Sequence, residues 1–163
     1  MTIKIRVGQG FDIHRFVKDG DEQRKLILGG VHFLNEPGLV GHSDADVVAH
    51  AAAEAVLGAC GLGNIGEHFP DTDEKYKNID SIKLLQLVAK MALDNNFEIG
   101  NVDCSIVCEQ PKISKHRDEM QQNLSRALGA PVTVKGRRAE GLGALGRSEG
   151  IACWAVAVAT QDI

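Results

Sequence analysis

Ser43-Asp44-Ala45-Asp46 opens an alanine-rich segment that reaches Cys60. Alanine is the strongest helix former. A serine hydroxyl for the N-cap and carboxylates in the first turn, where the helix dipole favours them, predict a helix ended by Gly61 and Gly63. One residue in it is out of keeping. His50 stands among Val47, Val48 and the alanines, and a polar ring in such surroundings needs a partner.

The flanking segments bound the fold. Ile3, Ile5 and Val7 alternate with polar residues, the period of a half-buried strand, and lead through Gly8 and Gly10 to Asp12 and His14. A charged loop over Lys18 to Lys25 precedes a short strand at Leu26 to Leu28 and a turn at Gly29-Gly30. From Asp80 to Asn95, Ile82, Leu85, Val88, Met91 and Ala92 form one helical stripe. Val102, Cys104, Ile106 and Cys108 alternate as a strand. A helix carrying Met120, Leu124 and Leu128 follows and is closed by Gly129. Val132 to Lys135 and the almost wholly apolar Ile151 to Thr160 are the last strands. The order fits an α+β fold, a mixed sheet with helices packed on one face, and leaves the other face needing a partner.

At 163 residues and 44% hydrophobic content the chain is expected to form one domain, 1–163. Eighteen basic residues against 22 acidic ones argue against broad binding to nucleic acid or anionic membrane. Cys60, Cys104, Cys108 and Cys153 form no C-x-x-C pair and no signal peptide precedes them, so reduced thiols in a cytoplasmic, soluble protein are expected. No apolar run reaches the roughly 20 residues that cross a bilayer.

Asp12 and His14 lie two apart, so on an extended chain they project to the same side while Ile13 points into the core. Joined by His50, they offer two imidazoles and a carboxylate. That set leaves a tetrahedral zinc one open position, as catalytic sites do. Spacing alone equally allows His50 to be a core histidine bonded to a backbone carbonyl. His42-Ser43-Asp44 at the same helix's start, where free N–H groups favour an anion, reads either as a phosphate site or as simple capping.

G-F-D-I-H at 10–14, H-S-D-A-D-V-V-A-H at 42–50, F-P-D-T-D at 69–73 and G-R-S-E-G-I-A at 146–152 together resemble the 2-C-methyl-D-erythritol 2,4-cyclodiphosphate synthase family over essentially the whole chain. The resemblance implies a phosphorus-oxygen lyase of the non-mevalonate isoprenoid pathway. Such an enzyme converts 4-diphosphocytidyl-2-C-methyl-D-erythritol 2-phosphate to the cyclic diphosphate and releases CMP. It implies Zn2+ on Asp12, His14 and His50, and Mg2+ or Mn2+ held with substrate by Glu140. His42 is implied as a catalytic residue with Ser43 beside the substrate. Asn64, Ile65, Gly66, Phe69, Pro70, Asp71, Thr72 and Asp73 would line the ribose and erythritol portions, and Cys108, Pro111, Lys112, Ile113 and Ser114 the cytidine. Arg137, Arg138 and Arg147 complete the implied substrate set. A homotrimer is implied as well, with sites at subunit interfaces and an axial cavity able to take an isoprenoid diphosphate.

Arg137, Arg138 and Ala139 stand where the family carries threonines that contact the diphosphate, one of them a transition-state stabiliser, so Arg138 takes the second catalytic position. Arginine can bond phosphate bidentately or turn its long side chain to solvent. Asn64 replaces a common aspartate, and Ala144-Leu145 replaces Phe-Thr. Two other functions fit the residues: a zinc phosphodiesterase using metal-activated water, and a binding protein for CMP or an isoprenoid diphosphate.

Overall fold

The computed structural model describes residues 2–18 and 24–162. Strand β1 (Ile3–Arg15) is followed by a hairpin of β2 (Lys25–Leu28) and β3 (Val31–Pro37). Then come helix α1 (Val47–Cys60), the single turn α2 (Ile65–His68), helix α3 (Ser81–Asp94), β4 (Glu98–Val107), α4 (Arg117–Leu128), β5 (Val132–Arg137), the turn α5 (Gly143–Gly146) and β6 (Gly150–Asp162). Most of the expected charged loop, residues 19–23, lies outside the described residues.

The main sheet has the order β1-β6-β4-β5. β6 runs antiparallel to both β1 and β4, whereas β4 and β5 are parallel and joined through α4, the long crossover that a parallel pair requires. The expected mixed sheet is present, and α1 packs on one face of it. Gly61 and Gly129 end α1 and α4, as anticipated. The strand β3 and the turn α2 were not anticipated. β3 is a short run broken by Asn35 and Glu36, and α2 holds too few residues to show a period.

Eleven of the 14 residues of α1 are buried. A helix apolar on all sides belongs between layers, and α1 lies between the sheet and α3. Its approach to β1 is extreme. A Cβ on Gly8 would stand 2.1 Å from the Ala55 carbonyl oxygen, and one on Gly10 2.0 Å from that of Ala51. Only glycine leaves room for main chain to lie against main chain there.

This packing inverts two expectations. Gly8, Gly10, Asp12 and His14 form the inward row of β1, while Ile3, Ile5, Val7, Phe11 and Ile13 face outward and are exposed. Ile13, expected in the core, is 49% exposed. On β6 the outward Trp154 and Val156 continue the row, so the uncovered face is strongly apolar.

The start of α1 is the second inversion. The helix begins at Val47 and its N-cap is Asp46, whose side chain accepts from the N–H groups of Val48 and Ala49. The same carboxylate accepts from Gly29 N at 2.8 Å and Gly30 N at 2.7 Å. Both glycines have positive φ, as the tight hairpin turn between β2 and β3 demands. Asp46 therefore ties the hairpin to α1 through four main-chain donors.

Candidate functional site

The close seam between β1 and α1 delivers Asp12 and His14, at the end of the strand, onto His50, in the first turn of the helix. His14 Nε2 lies 2.9 Å from Asp12 Oδ2, His50 Nδ1 lies 3.1 Å from the same oxygen, and the two ring nitrogens are 3.4 Å apart. Ligands about 2.05 Å from a tetrahedral ion stand roughly 3.3 Å from one another, so this donor set matches a small divalent cation. Among the described residues, these three are the group of His, Cys and acidic side chains whose ligand atoms converge in this way.

The outer ring nitrogens are tied off. His14 Nδ1 donates to the Val40 carbonyl at 2.8 Å, which leaves the Nε2 lone pair facing Asp12. His50 Nε2 meets the hydroxyls of Ser81 at 2.8 Å and Ser43 at 3.1 Å. The bland alternative, a core histidine bonded to a backbone carbonyl, is not what His50 makes. Such outer partners orient imidazole ligands in metal sites. Burial alone would raise the Asp12 carboxyl, but the facing His14 and His50 imidazoles, when protonated, hold it well below the usual carboxylate range. Burial alone would lower the His14 imidazole, yet the facing Asp12 carboxylate favours its protonated form and raises it.

His14 and His50 open into a cleft of about 450 Å³ lined also by His42, Ser43, Ile65, Gly66, Phe69, Pro70 and Asp71. His42 Nε2 donates to the Asp73 carbonyl at 3.1 Å, which pins the loop before α1 to the P-D-T-D turn. Asp73 itself caps the following 3-10 turn through Lys75 N at 2.9 Å, and Thr72 is exposed beside it. Asn64, in place of an aspartate, is the N-cap of α2, with a reciprocal Asn64–Glu67 capping box.

The start of α1 is capped by Asp46 and not by Ser43. Asp46 accepts from the second and third N–H groups of the helix, those of Val48 and Ala49, and Ser43 and Asp44 stand outside it. Ser43 Oγ accepts from Ala45 N. Asp44 accepts from Ser81 N at 3.0 Å and contacts the Ser81 hydroxyl. Burial and the neighbouring Asp44 push the Asp46 carboxyl up to about 6, against its four N–H donors.

A second cleft, about 570 Å³, gathers Cys108, Pro111, Lys112, Ile113, Ser114, Arg137 and Arg138 between the ends of β4 and β5. Its unexpected member is Glu109. Its carboxylate accepts from Gly141 N at 3.1 Å and pairs with Arg138 at 2.9 Å, and these two contacts hold it below its ordinary pKa. Glu140 is exposed on the same turn, in the left-handed region at φ 54°, and does not join the Asp12 group. Arg147 pairs with Glu149 at 2.7 Å and lines neither cleft. His42 and Arg138, the two expected catalytic residues, thus belong to different clefts of one chain.

Sequence reasoning also missed Arg24, which donates to the Ser43 carbonyl at 2.5 Å, and Glu54, which accepts from Ile65 N at 2.8 Å and holds the cleft wall to α1. Ser81 was hidden as an ordinary helix-start serine. All four cysteines are free and buried, and no helix among the described residues is long and apolar enough to cross a membrane.

The model of the YgbB family matches residues 5–160. The 2-C-methyl-D-erythritol 2,4-cyclodiphosphate synthase of Geotalea uraniireducens is 50% identical over 155 residues, covering 93% of this chain and 96% of the relative. The enzyme of that name from Rubrobacter xylanophilus is 50% identical over 161 residues, 97% of this chain and 96% of the relative. Among solved structures, the Plasmodium falciparum IspF complex with CDP has a TM-score of 0.82 at 34% identity, over 98% of this chain and 97% of that one. The bifunctional IspDF of Campylobacter jejuni has a TM-score of 0.92 at 38% identity over 99% of this chain, which spans 43% of that longer protein. The chain therefore belongs to the YgbB family of 2-C-methyl-D-erythritol 2,4-cyclodiphosphate synthases, a lyase-type group of enzymes.

Proposed function

We propose that residues 1–163 form one catalytic domain that converts 4-diphosphocytidyl-2-C-methyl-D-erythritol 2-phosphate to 2-C-methyl-D-erythritol 2,4-cyclodiphosphate with release of CMP, a step of non-mevalonate isoprenoid synthesis. The observation that carries the reading is the Asp12, His14, His50 donor set, with both imidazoles oriented by outer partners, opening on a cleft walled by His42 and the 65–71 segment.

In the reaction a 2-phosphate oxygen attacks the β-phosphorus. The bond from that phosphorus to the oxygen bridging it to the α-phosphate breaks, and CMP departs with the electron pair. Little covalent chemistry falls to the protein, so positioning and charge stabilisation dominate. Zn2+ on Asp12, His14 and His50 would supply Lewis-acid polarisation of a phosphate oxygen, and Mg2+ or Mn2+ held by Glu140 would offset charge on the diphosphate. His42, braced on the P-D-T-D turn, donates to the transferring phosphoryl group, and Ser43 bonds the erythritol phosphate. Asn64, Ile65, Gly66, Phe69, Pro70, Asp71, Thr72 and Asp73 surround the sugar portions. Cys108, Pro111, Lys112, Ile113 and Ser114 take the cytidine, and Arg137, Arg138 and Arg147 neutralise phosphate charge. The Plasmodium relative, solved with CDP, supports a nucleotide ligand.

His42 and Arg138 work on one substrate if a cleft from one subunit faces the other cleft of its neighbour. The outward apolar row of Ile5, Val7, Phe11, Trp154 and Val156 supports a homotrimer built on that face, with an axial cavity open to an isoprenoid diphosphate. We place the enzyme in the cytoplasm, and its acidic net charge disfavours nucleic-acid or anionic-membrane partners. Incubation with the substrate, Zn2+ and Mg2+, followed by phosphorus NMR and CMP release, is expected to give cyclodiphosphate and CMP in equal amounts. A linear phosphomonoester product would favour a hydrolase, and binding without turnover a carrier.

A further inference from the structure

Behind His50 lies a chain of polar groups that the reaction above does not use. Ser81, the first residue of α3, is 1% exposed. Its hydroxyl contacts both the Asp44 carboxylate and His50 Nε2, the latter at 2.8 Å. Asp44 is held in place at both oxygens: one accepts from Ser81 N at 3.0 Å and the other from Asp46 N at 3.1 Å. Its own N–H donates to the Ile79 carbonyl at 3.1 Å.

The direction of the bonds follows from the donor inventory. An ionised carboxylate can only accept, and a serine hydroxyl has one proton to give. Ser81 gives that proton to Asp44 and must therefore accept from His50, which places the imidazole proton on Nε2. Nδ1 is left with its lone pair, and it is Nδ1 that faces Asp12 Oδ2 at 3.1 Å. Ser43 Oγ also lies within reach of Nε2, at 3.1 Å, but no carboxylate backs it.

We infer that Ser81 and Asp44 are positioning residues for His50: the carboxylate–hydroxyl–imidazole chain fixes the ring tautomer and rotation that present Nδ1 to the cation. The inference rests on the metal reading of Asp12, His14 and His50. It makes the seating of α3 on the loop before α1 part of the metal site. Hydrogen-bonded outer groups of this kind are worth about 10- to 100-fold in metal affinity.

The test uses the full chain as wild type, Ser81→Ala and Asp44→Asn. Zn2+ affinity is measured by competition with a chromophoric chelator, and the Co2+ forms are compared by their visible ligand-field bands. Ser81→Ala is expected to bind Zn2+ about 10- to 100-fold more weakly and to shift the Co2+ bands. Asp44→Asn, which keeps an acceptor oxygen and loses the charge, is expected between wild type and Ser81→Ala. A purely structural role would lower thermal stability and leave affinity and bands unchanged, and that result overturns the inference. Should Ser81→Ala fail to fold, Asp44→Asn decides by the same two readouts. Wild type that binds neither ion would overturn the metal reading itself, an outcome distinct from variants that match a metal-binding wild type.

Discussion

The two clefts are held in different ways. At the cleft that ends on His14 and His50, each imidazole nitrogen already has a side-chain or main-chain partner: the Val40 carbonyl and Asp12 for His14, and Asp12, Ser43 and Ser81 for His50. The cleft between β4 and β5 is walled by main chain and by long side chains, and one pair, Arg138 with Glu109, crosses to the following turn. Arg138 is 71% exposed at its side chain. The first cleft is fixed by bonded, half-buried side chains, while the second ends on an exposed arginine held by a single ion pair. Substitutions should then act as all-or-none in the first and by degrees in the second.

The largest effect should come from His50→Ala. Loss of a ligand at a Lewis-acid centre removes several kcal/mol of charge stabilisation, so turnover should fall by about 10³-fold or more. Metal stoichiometry should drop to near zero while circular dichroism stays that of the folded protein. Retained metal in this variant would erase the contrast between the clefts.

Next comes the face that would join them. Val7→Lys puts a charge on the outward apolar row and should convert a trimer to monomers in sedimentation, with activity lost although both clefts remain intact. A fully active monomer would show that one chain suffices.

Asp46→Asn should act on the frame of the first cleft. The new amide turns an N–H toward Gly30 N–H and leaves that donor unpaired, at about 1–3 kcal/mol in denaturant unfolding. Its pH dependence sharpens the comparison. The folded-state pKa of Asp46 lies near 6, above the ordinary 3.8, so protonation favours the fold. This contribution is full below 3.8 and is lost as pH rises through about 6. The variant should lose that slope.

Arg138→Ala should have the smallest effect. An exposed ion pair is worth under about 1 kcal/mol to stability, and KM for the substrate should rise about tenfold, as for the loss of one charge-assisted phosphate bond. A collapse of activity comparable to that of His50→Ala would make the second cleft as rigid as the first.

How far the sequence reaches is plain from particular residues. Asp12, His14 and His50 were legible because a carboxylate two before an imidazole and a lone imidazole among alanines are both conspicuous, and motif resemblance joined them. The order of the longer strands and helices was legible from their periods, whereas β3, α2 and α5 were not. The facing of β1 was not: a period of two separates two faces without saying which meets the helix, and Gly8 and Gly10 carry no hydrophobic signal. Ser43 as cap failed because Asp46 also binds a hairpin 16 residues earlier in sequence. Glu54, Glu109 and Ser81 escaped for the same reason, since each acts through a contact that only the fold creates.

The glycine and alanine seam has a consequence for alignment. Two strand residues advance about 6.7 Å and four helix residues about 6.0 Å, so the teeth of β1 and α1 run at nearly one pitch. Going up the strand and back along the helix, Gly8 meets Ala55 and Ala59, Gly10 meets Ala51 and Ala55, and Asp12 meets His50. Asp12 and His50 are the next tooth of the same ratchet. A slip of one helical residue would unseat both glycines before it could move His50 away from Asp12, so the site is indexed along its axis as well as spaced across it.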